Sequence, residues 1–528
     1  MTHITGIPSY ENICATGDRS WSLQLVDRLI APATTIQESD NIGEVLQAVS
    51  DPRTWLSLYE ILETRSINED IRWQAGLILR EMRWGTPDIE QEKLLRWWHE
   101  GDKILQEHAL HCMPLDLPEI VAQVAGDASH PLQSTALLAM DFFFEQPRYQ
   151  ELKIKALEHP DPQIREYAAF VLLWDEPIHA QEPLLRATHD SALTVVNEAM
   201  NTLQYYHSQR VFIRLQELLS HPQEDVSGQA SISYDSLRNS FGLALTHKSV
   251  VVRKHIRRWL QPIWEMLNFS EDELKLDGSE DSPVADNSAP ANQKITIKVP
   301  LDELISTLSN PDESTTIIEG MFSGIDWKAY NPSERKKLTA FLIGHSDILV
   351  RYRAAECFRT WNAQDSLIKL LKDPSFIVRK NVMYEMGQAS PPSINIAHTA
   401  WEHFKRPATR FTHSHETLYT YVSHAPVDEA IRNLVTLAGD AHQLESDRTA
   451  AIEHLCKLEA HDEIELLSVL LEDEPEVTWA LHISLLESMT TLKINRGNIK
   501  RFIHVDNLEM QEAIASFVYE DSDYSGRI

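Results

Sequence analysis

A polar turn followed by an apolar run with one arginine in its first turn recurs along this chain, and no other feature constrains its folding as tightly. Residues 159–173 read HPDPQIREYAAFVLL. Asp161 is suited to cap a helix, because its carboxylate can accept from backbone N–H groups that have no earlier carbonyl, and Pro162 fits the first helical position. Ile164, Ala168, Val171 and Leu172 follow at helical spacing and form one apolar stripe. Arg165 lies four residues after Asp161, within reach of the capping residue or of a neighbouring turn.

Aligning the arginine position gives Arg72, Gln106, Gln133, Arg165, Val196, Ser227 and Arg253, between 26 and 34 residues apart, and then Arg351, Arg379, the region of His413, Arg448, Thr478 and Gln511. A unit of that length holding helical segments and a polar turn is the mark of a repeat architecture. Each helical hairpin is too small to bury its own apolar face, so successive hairpins must stack to build one core.

The order of turn Asp or Pro, aliphatic residue, Arg, then Ala three residues on resembles the second helix of HEAT repeats, in particular the short bacterial kind related to phycobilisome-lyase repeats. The resemblance covers about residues 50–268 and 300–520. It implies an all-α fold, an α-α superhelix, in which turn Asp and Arg form a ladder between neighbouring repeats. That role carries over to Asp161 with Arg165 and to Asp347 with Arg351. Gln106, Gln133, Val196, Ser227, Thr478 and Gln511 depart from the pattern and read as degenerate units.

Residues 269–292, FSEDELKLDGSEDSPVADNSAPAN, hold little that could enter a core and read as a disordered acidic linker. The expected organisation is an irregular N-terminal cap over 1–50, a repeat array over 51–268, the linker over 269–298 and a second array over 299–528. Ile295–Val299 alternates like a short strand or an extended approach to Pro300.

Forty-eight Lys and Arg against 79 Asp and Glu give a formal net charge of −31, which repels nucleic acid phosphates and anionic membrane surfaces. Neither nucleic acid nor membrane is an expected partner. Cys14, Cys112, Cys357 and Cys456 stand far apart without a CxxC pair, consistent with a reducing compartment. No apolar stretch approaches the ~20 residues of a membrane helix, and the first residues lack a signal-peptide pattern, so a cytoplasmic location is expected.

No nucleophile elbow, glycine-rich phosphate loop or HExxH spacing is present. The pairs His99-Glu100 and His415-Glu416 invite comparison with deoxyhypusine hydroxylase, a HEAT-type enzyme with two irons, but that pattern needs four pairs in matched contexts and two are missing. His398, His403, His413 and His415, around Lys405, Arg406 and Arg410, form a dense basic and histidine cluster, read as a solvated helix end and loop. No catalytic, cofactor-binding or metal residue is therefore assigned, and no cofactor is expected.

Two features suit contacts instead. Lys248, Arg253, Lys254, Arg257 and Arg258 concentrate positive charge just before the acidic segment, where an acidic partner or the linker itself would complement them. Trp55, Trp73, Trp84, Trp97 and Trp98 fall close together, and adjacent Trp97 and Trp98 cannot both face one stripe of a helix, so at least one is offered as an anchor. The expected function is a non-catalytic scaffold, adaptor or inhibitor that binds one or more proteins, with immunity or secretion-system accessory roles as special cases. The alternative is a phycobilin-lyase-like or other HEAT-type enzyme.

Overall fold

The computed structural model describes residues 9–32, 34–83, 85, 88–113, 118–140, 147–174, 177–269, 297–405, 414–440, 443–469, 479–494, 502 and 505–519. Among them are thirty α-helices and no strand. The fold is all-α, an α-α helical-repeat architecture. Most of the acidic segment, Trp84, Arg406, Arg410, His413 and Thr478 lie outside the described residues. The approach to Pro300 is extended rather than a strand: Ile297 makes one isolated parallel bridge to Ile325, donating to the Gly324 carbonyl and accepting from Asp326 N–H, both at 3.0 Å.

Helix boundaries follow the local chemistry. Asp161 caps the Pro162–Val171 helix by accepting from Gln163 N–H, and Asp347 caps Ile348–Thr360 by accepting from Leu349 N–H, each at 2.9 Å. Asn331 and Glu334 close a reciprocal capping box around Pro332, so the Pro332–Ile343 helix starts with its first donors satisfied. Gly17 ends Tyr10–Thr16 with a left-handed φ of 65°. Any Cβ there would lie 2.0 Å from the Thr315 hydroxyl, so both the turn and the close approach require glycine.

In space the chain forms two compact units, Met1–Cys112 with Asn287–Pro426, and Met113–Asp286 with Val427–Ile528. The boundaries 51–268 and 299–528 divide the covalent chain, whereas each compact unit takes helices from both sides of the acidic segment.

In the first unit the two stretches are joined by ionic contacts at repeat turns. Arg19 pairs with Asp347, Arg53 with Asp312 at 2.7 Å and Arg379 with Asp88 at 2.8 Å. Ile42, Leu46, Leu58 and Ile78 from the earlier stretch and Leu342, Leu349, Phe358 and Val382 from the later one are fully buried. In the second unit one continuous core runs from Ala169 and Leu172 through Val195, Phe212, Phe241 and Ile256 to Leu267, and takes in Leu508 and Ala515 of the Leu508–Tyr519 helix. This is the stacking that a hairpin needs to bury its stripe.

An ionic ladder and candidate interaction surfaces

The turn carboxylates and arginines do two jobs at once. Arg165 does not bond Asp161; it reaches 25 residues forward, where its Nε and Nη2 grip both oxygens of Asp190 at 2.7 and 2.8 Å. Asp190 meanwhile accepts from Ala192 N–H at the start of the next helix. Arg351 repeats the geometry on Asp373 at 2.6 and 3.1 Å, and Asp373 accepts from Ser375 N–H. Arg72 grips Asp102 at 2.7 and 2.9 Å. A guanidinium of one repeat therefore holds the helix-starting carboxylate of the following repeat, a bidentate pairing that fixes angle as well as distance. These hydrogen bonds hold the Asp102 and Asp190 carboxyls below the usual carboxylate range.

The remaining arginine donors close the turn itself. Arg165 Nη1 donates to the carbonyls of His159 and Pro160, and Arg351 Nη1 to those of His345 and Ser346. Two residues before Asp161 and before Asp347, a histidine is a third member. His159 and His345 accept from Asp161 and Asp347 N–H through Nδ1 at 3.0 Å, and their Nε2 atoms bond the Ala128 and Leu308 carbonyls of the preceding repeat. His130, His221 and His247 make the same Nδ1 contact to the residue two ahead. Sequence reasoning missed this histidine, although its spacing from the turn residue is visible in HPDPQIR and HSDILVR.

The glutamines at the arginine position are not failed repeats. Gln106, Gln133 and Gln511 donate side-chain N–H to the carbonyls of Trp98, Ala125 and Val505. Arg72 and Arg448 donate Nε to Leu62 and Ala438 in the same sense. An amide keeps the donor to the preceding segment and gives up the reach to the next carboxylate.

The basic stretch folds as the Val250–Trp259 helix, capped by Ser249. Val252 and Ile256 face the core, and His255 Nε2 bonds Gln511 at 2.9 Å. Arg253 turns inward to the carbonyls of His247 and Lys248. Lys248, Lys254, Arg257 and Arg258 are exposed, with the Arg257 guanidinium 4.8 Å from the centre of the Trp264 ring. The tryptophan pair divides: Trp97 is 3% exposed, donates to Glu63 at 3.0 Å and packs edge-on against His108, whereas Trp98 is half-buried.

His99, Glu100 and His415 are exposed, and Glu416 lies 3.3 Å from Lys380. His403 is buried at the end of Ile394–Phe404, His398 is exposed on that helix, and Lys405 pairs with Glu402 at 2.9 Å. No group of three or more His, Cys, Asp or Glu able to hold a metal occurs among the described residues. Burial sets the chemistry of the His108, His111 and Cys112 group beside Arg80: it pushes both imidazoles down to about 3 and the thiol up to about 12, which leaves the thiol a poor nucleophile. No helix among the described residues is long and apolar enough to cross a membrane.

No family model matches the chain, and no curated protein is similar to it. Among solved structures, importin beta is 13% identical over 95% of this chain and 68% of its own, with a TM-score of 0.32. Human deoxyhypusine hydroxylase in complex with glycerol is 15% identical over 71% and 95%, with a TM-score of 0.21. A designed armadillo repeat protein in complex with a peptide is 14% identical over 40% and 98%, with a TM-score of 0.20. On the strength of its own recurring hairpins, with a capping carboxylate at the turn and an arginine one turn into the second helix, the chain is a HEAT-like helical-repeat protein.

Proposed function

We propose that this chain is a non-catalytic scaffold or adaptor that binds one or more proteins, and that Lys248, Lys254, Arg257 and Arg258 form one contact with an acidic partner surface. The observation that carries the reading is how the Val250–Trp259 helix divides its side chains. Its apolar face is in the core and Arg253 is committed to the turn, yet three further cations stand exposed in a chain with a large excess of acid. Exposed cations in an acidic protein favour partner choice and association rate over fold stability. Trp98, half-buried beside the core Trp97, is the member of the pair suited to a contact. The ladder residues Asp161, Arg165, Asp347 and Arg351 serve the architecture.

Affinity purification from the native host tests this. A stoichiometric protein partner is expected, with recovery reduced about tenfold by joint reversal of Lys254, Arg257 and Arg258 to glutamate. Recovery of the chain alone across all salt concentrations rejects the reading.

A further inference from the structure

In the first unit, Trp55 faces the repeat turns at residues 343–346 and 369–374 across an open cleft of about 390 Å³. Nearly every ionisable group in it is already committed. Arg351 places all three guanidinium nitrogens on Asp373 and on the His345 and Ser346 carbonyls. Asp373 holds Arg351 and the Ser375 N–H. His345 spends both ring nitrogens on backbone partners. Two groups are left over. Lys369, in the last turn of Gln364–Leu370, and Lys372, three residues on, are both exposed, and neither has a carboxylate partner among the described residues. Beside Trp55, the apolar part of the lining is Ile343, Leu370 and Pro374.

The geometry points to this cleft as the docking site of an acidic, apolar-containing segment of a partner protein: carboxylates on Lys369 and Lys372, and one aliphatic side chain against Trp55 and Leu370. The charge argument is local. Between residues 351 and 426 the chain has ten Lys or Arg against six Asp or Glu, the reverse of its overall balance. Of the cleft's own charges, Arg351 and Asp373 neutralise each other, so an entering acid meets two cations and no free carboxylate. Arg19, 2% exposed, is likewise paired with Asp347 and adds no net charge. Trp55 adds a flat apolar surface that costs little side-chain entropy to use, its indole N–H resting on the Met82 sulfur at 3.1 Å.

This rests on the scaffold reading only in taking the occupant to be a protein segment, and its test is separate. Fluorescein-labelled Glu-Glu-Leu-Glu-Glu and Gln-Gln-Leu-Gln-Gln peptides are titrated with the full chain and followed by anisotropy. The acidic peptide is expected to bind, to weaken as salt rises, and to lose at least about tenfold in affinity when Lys369→Glu and Lys372→Glu are combined. Trp55→Ala should remove the preference for leucine over alanine at the central position. Lys336→Glu with Lys337→Glu, equal in charge change on an exposed helix of the same unit, should leave binding in place. Thermal melts matching the parent establish that the lysine variants are folded. Equal affinity for the glutamine peptide, indifference to the Lys369 and Lys372 reversals, or equally tight binding of a single-stranded oligonucleotide would each overturn the assignment. Loss of the native partner with peptide binding intact rejects the scaffold reading alone.

Discussion

Asp506 accepts the backbone N–H of Gln209 at 2.9 Å, across 297 residues of chain. Its second oxygen takes the Ser208 hydroxyl at 2.9 Å and Arg210 N–H at 3.0 Å. The Gln209–Leu218 helix thus receives its N-terminal anion from the far end of the sequence, although Ser208 already caps it locally through Val211 N–H. Leu508 N–H to the His207 carbonyl and His207 to Glu509 complete the joint.

Replacing Asp506 with alanine removes acceptors from two helix-terminal donors and an anion from the positive end of the helix dipole. A loss of about 1–2 kcal/mol is expected, with residues 505–519 becoming sensitive to protease before the rest of the unit unfolds. Asp506→Asn should lose less than Asp506→Ala, because an amide oxygen still accepts. A melt of Asp506→Ala that overlays the parent, with no early cleavage, counts against the joint.

The Arg351 and Asp373 side chains are 8% and 3% exposed, so screening by solvent is small. Arg351→Ala leaves a buried carboxylate without its partner and should cost about 3–5 kcal/mol. Arg351→Met combined with Asp373→Leu removes both charges and should cost less than the single change, a sign that most of the single penalty is the stranded ion rather than the lost attraction. Chemical denaturation of the four members of that cycle decides the point. Additive losses would place the two residues in separate roles.

The local half of this architecture is plain in the chain. Asp161 and Pro162 announce a helix start, and the stripe of Ile164, Ala168 and Val171 announces a buried face, because capping and helical spacing act within a few residues. What joins one repeat to the next is less visible. Arg165 passes over Asp161, four residues away, for Asp190, because an arginine at that place in the helix projects toward the following turn. Gln106, Gln133 and Gln511 look like lost arginines, yet the fold asks that position for an N–H donor and only sometimes for a charge. The partnering of residues 9–112 with residues 297–426 has no periodic signature. It is carried by single pairs such as Arg53 with Asp312, whose members are ordinary surface residues in the sequence.

Histidine burial makes the fold acid-sensitive before its carboxylates titrate. Burial lowers the imidazole values of His345 and His424, and pushes those of His108 and His111 down to about 3. The unfolded chain takes up these protons near pH 6.5 and the folded chain does not, so their contribution is complete above about pH 6.5 and shrinks as pH falls from there toward the folded-state values. The melting temperature should therefore drop between about pH 7.5 and pH 5.5, where ordinary carboxylates remain ionised. His108→Leu, which removes the most buried of these rings, should flatten that dependence. A flat profile in the parent would mean that these imidazoles gain protons in the fold as easily as outside it.

Trp97 and Trp98 are neighbours in the chain with opposite duties, and single substitutions should separate them. Trp97 packs against Tyr59 and His108, bonds Glu63 and lies under the Lys93 ammonium at 4.7 Å, so Trp97→Ala opens a large cavity and strands a carboxylate contact. A loss of about 3–5 kcal/mol is expected. Trp98 is half-buried and its carbonyl receives Gln106, so Trp98→Ala keeps that bond and should cost less than Trp97→Ala. Partner recovery should follow the reverse order once folded protein is compared at equal concentration: Trp98→Ala weakens it, whereas Trp97→Phe, which keeps an aromatic ring in the core, leaves it near the parent. Equal destabilisation by the two alanine variants would show that the Gln91–Glu100 helix buries both indoles alike, and would remove Trp98 from any contact surface.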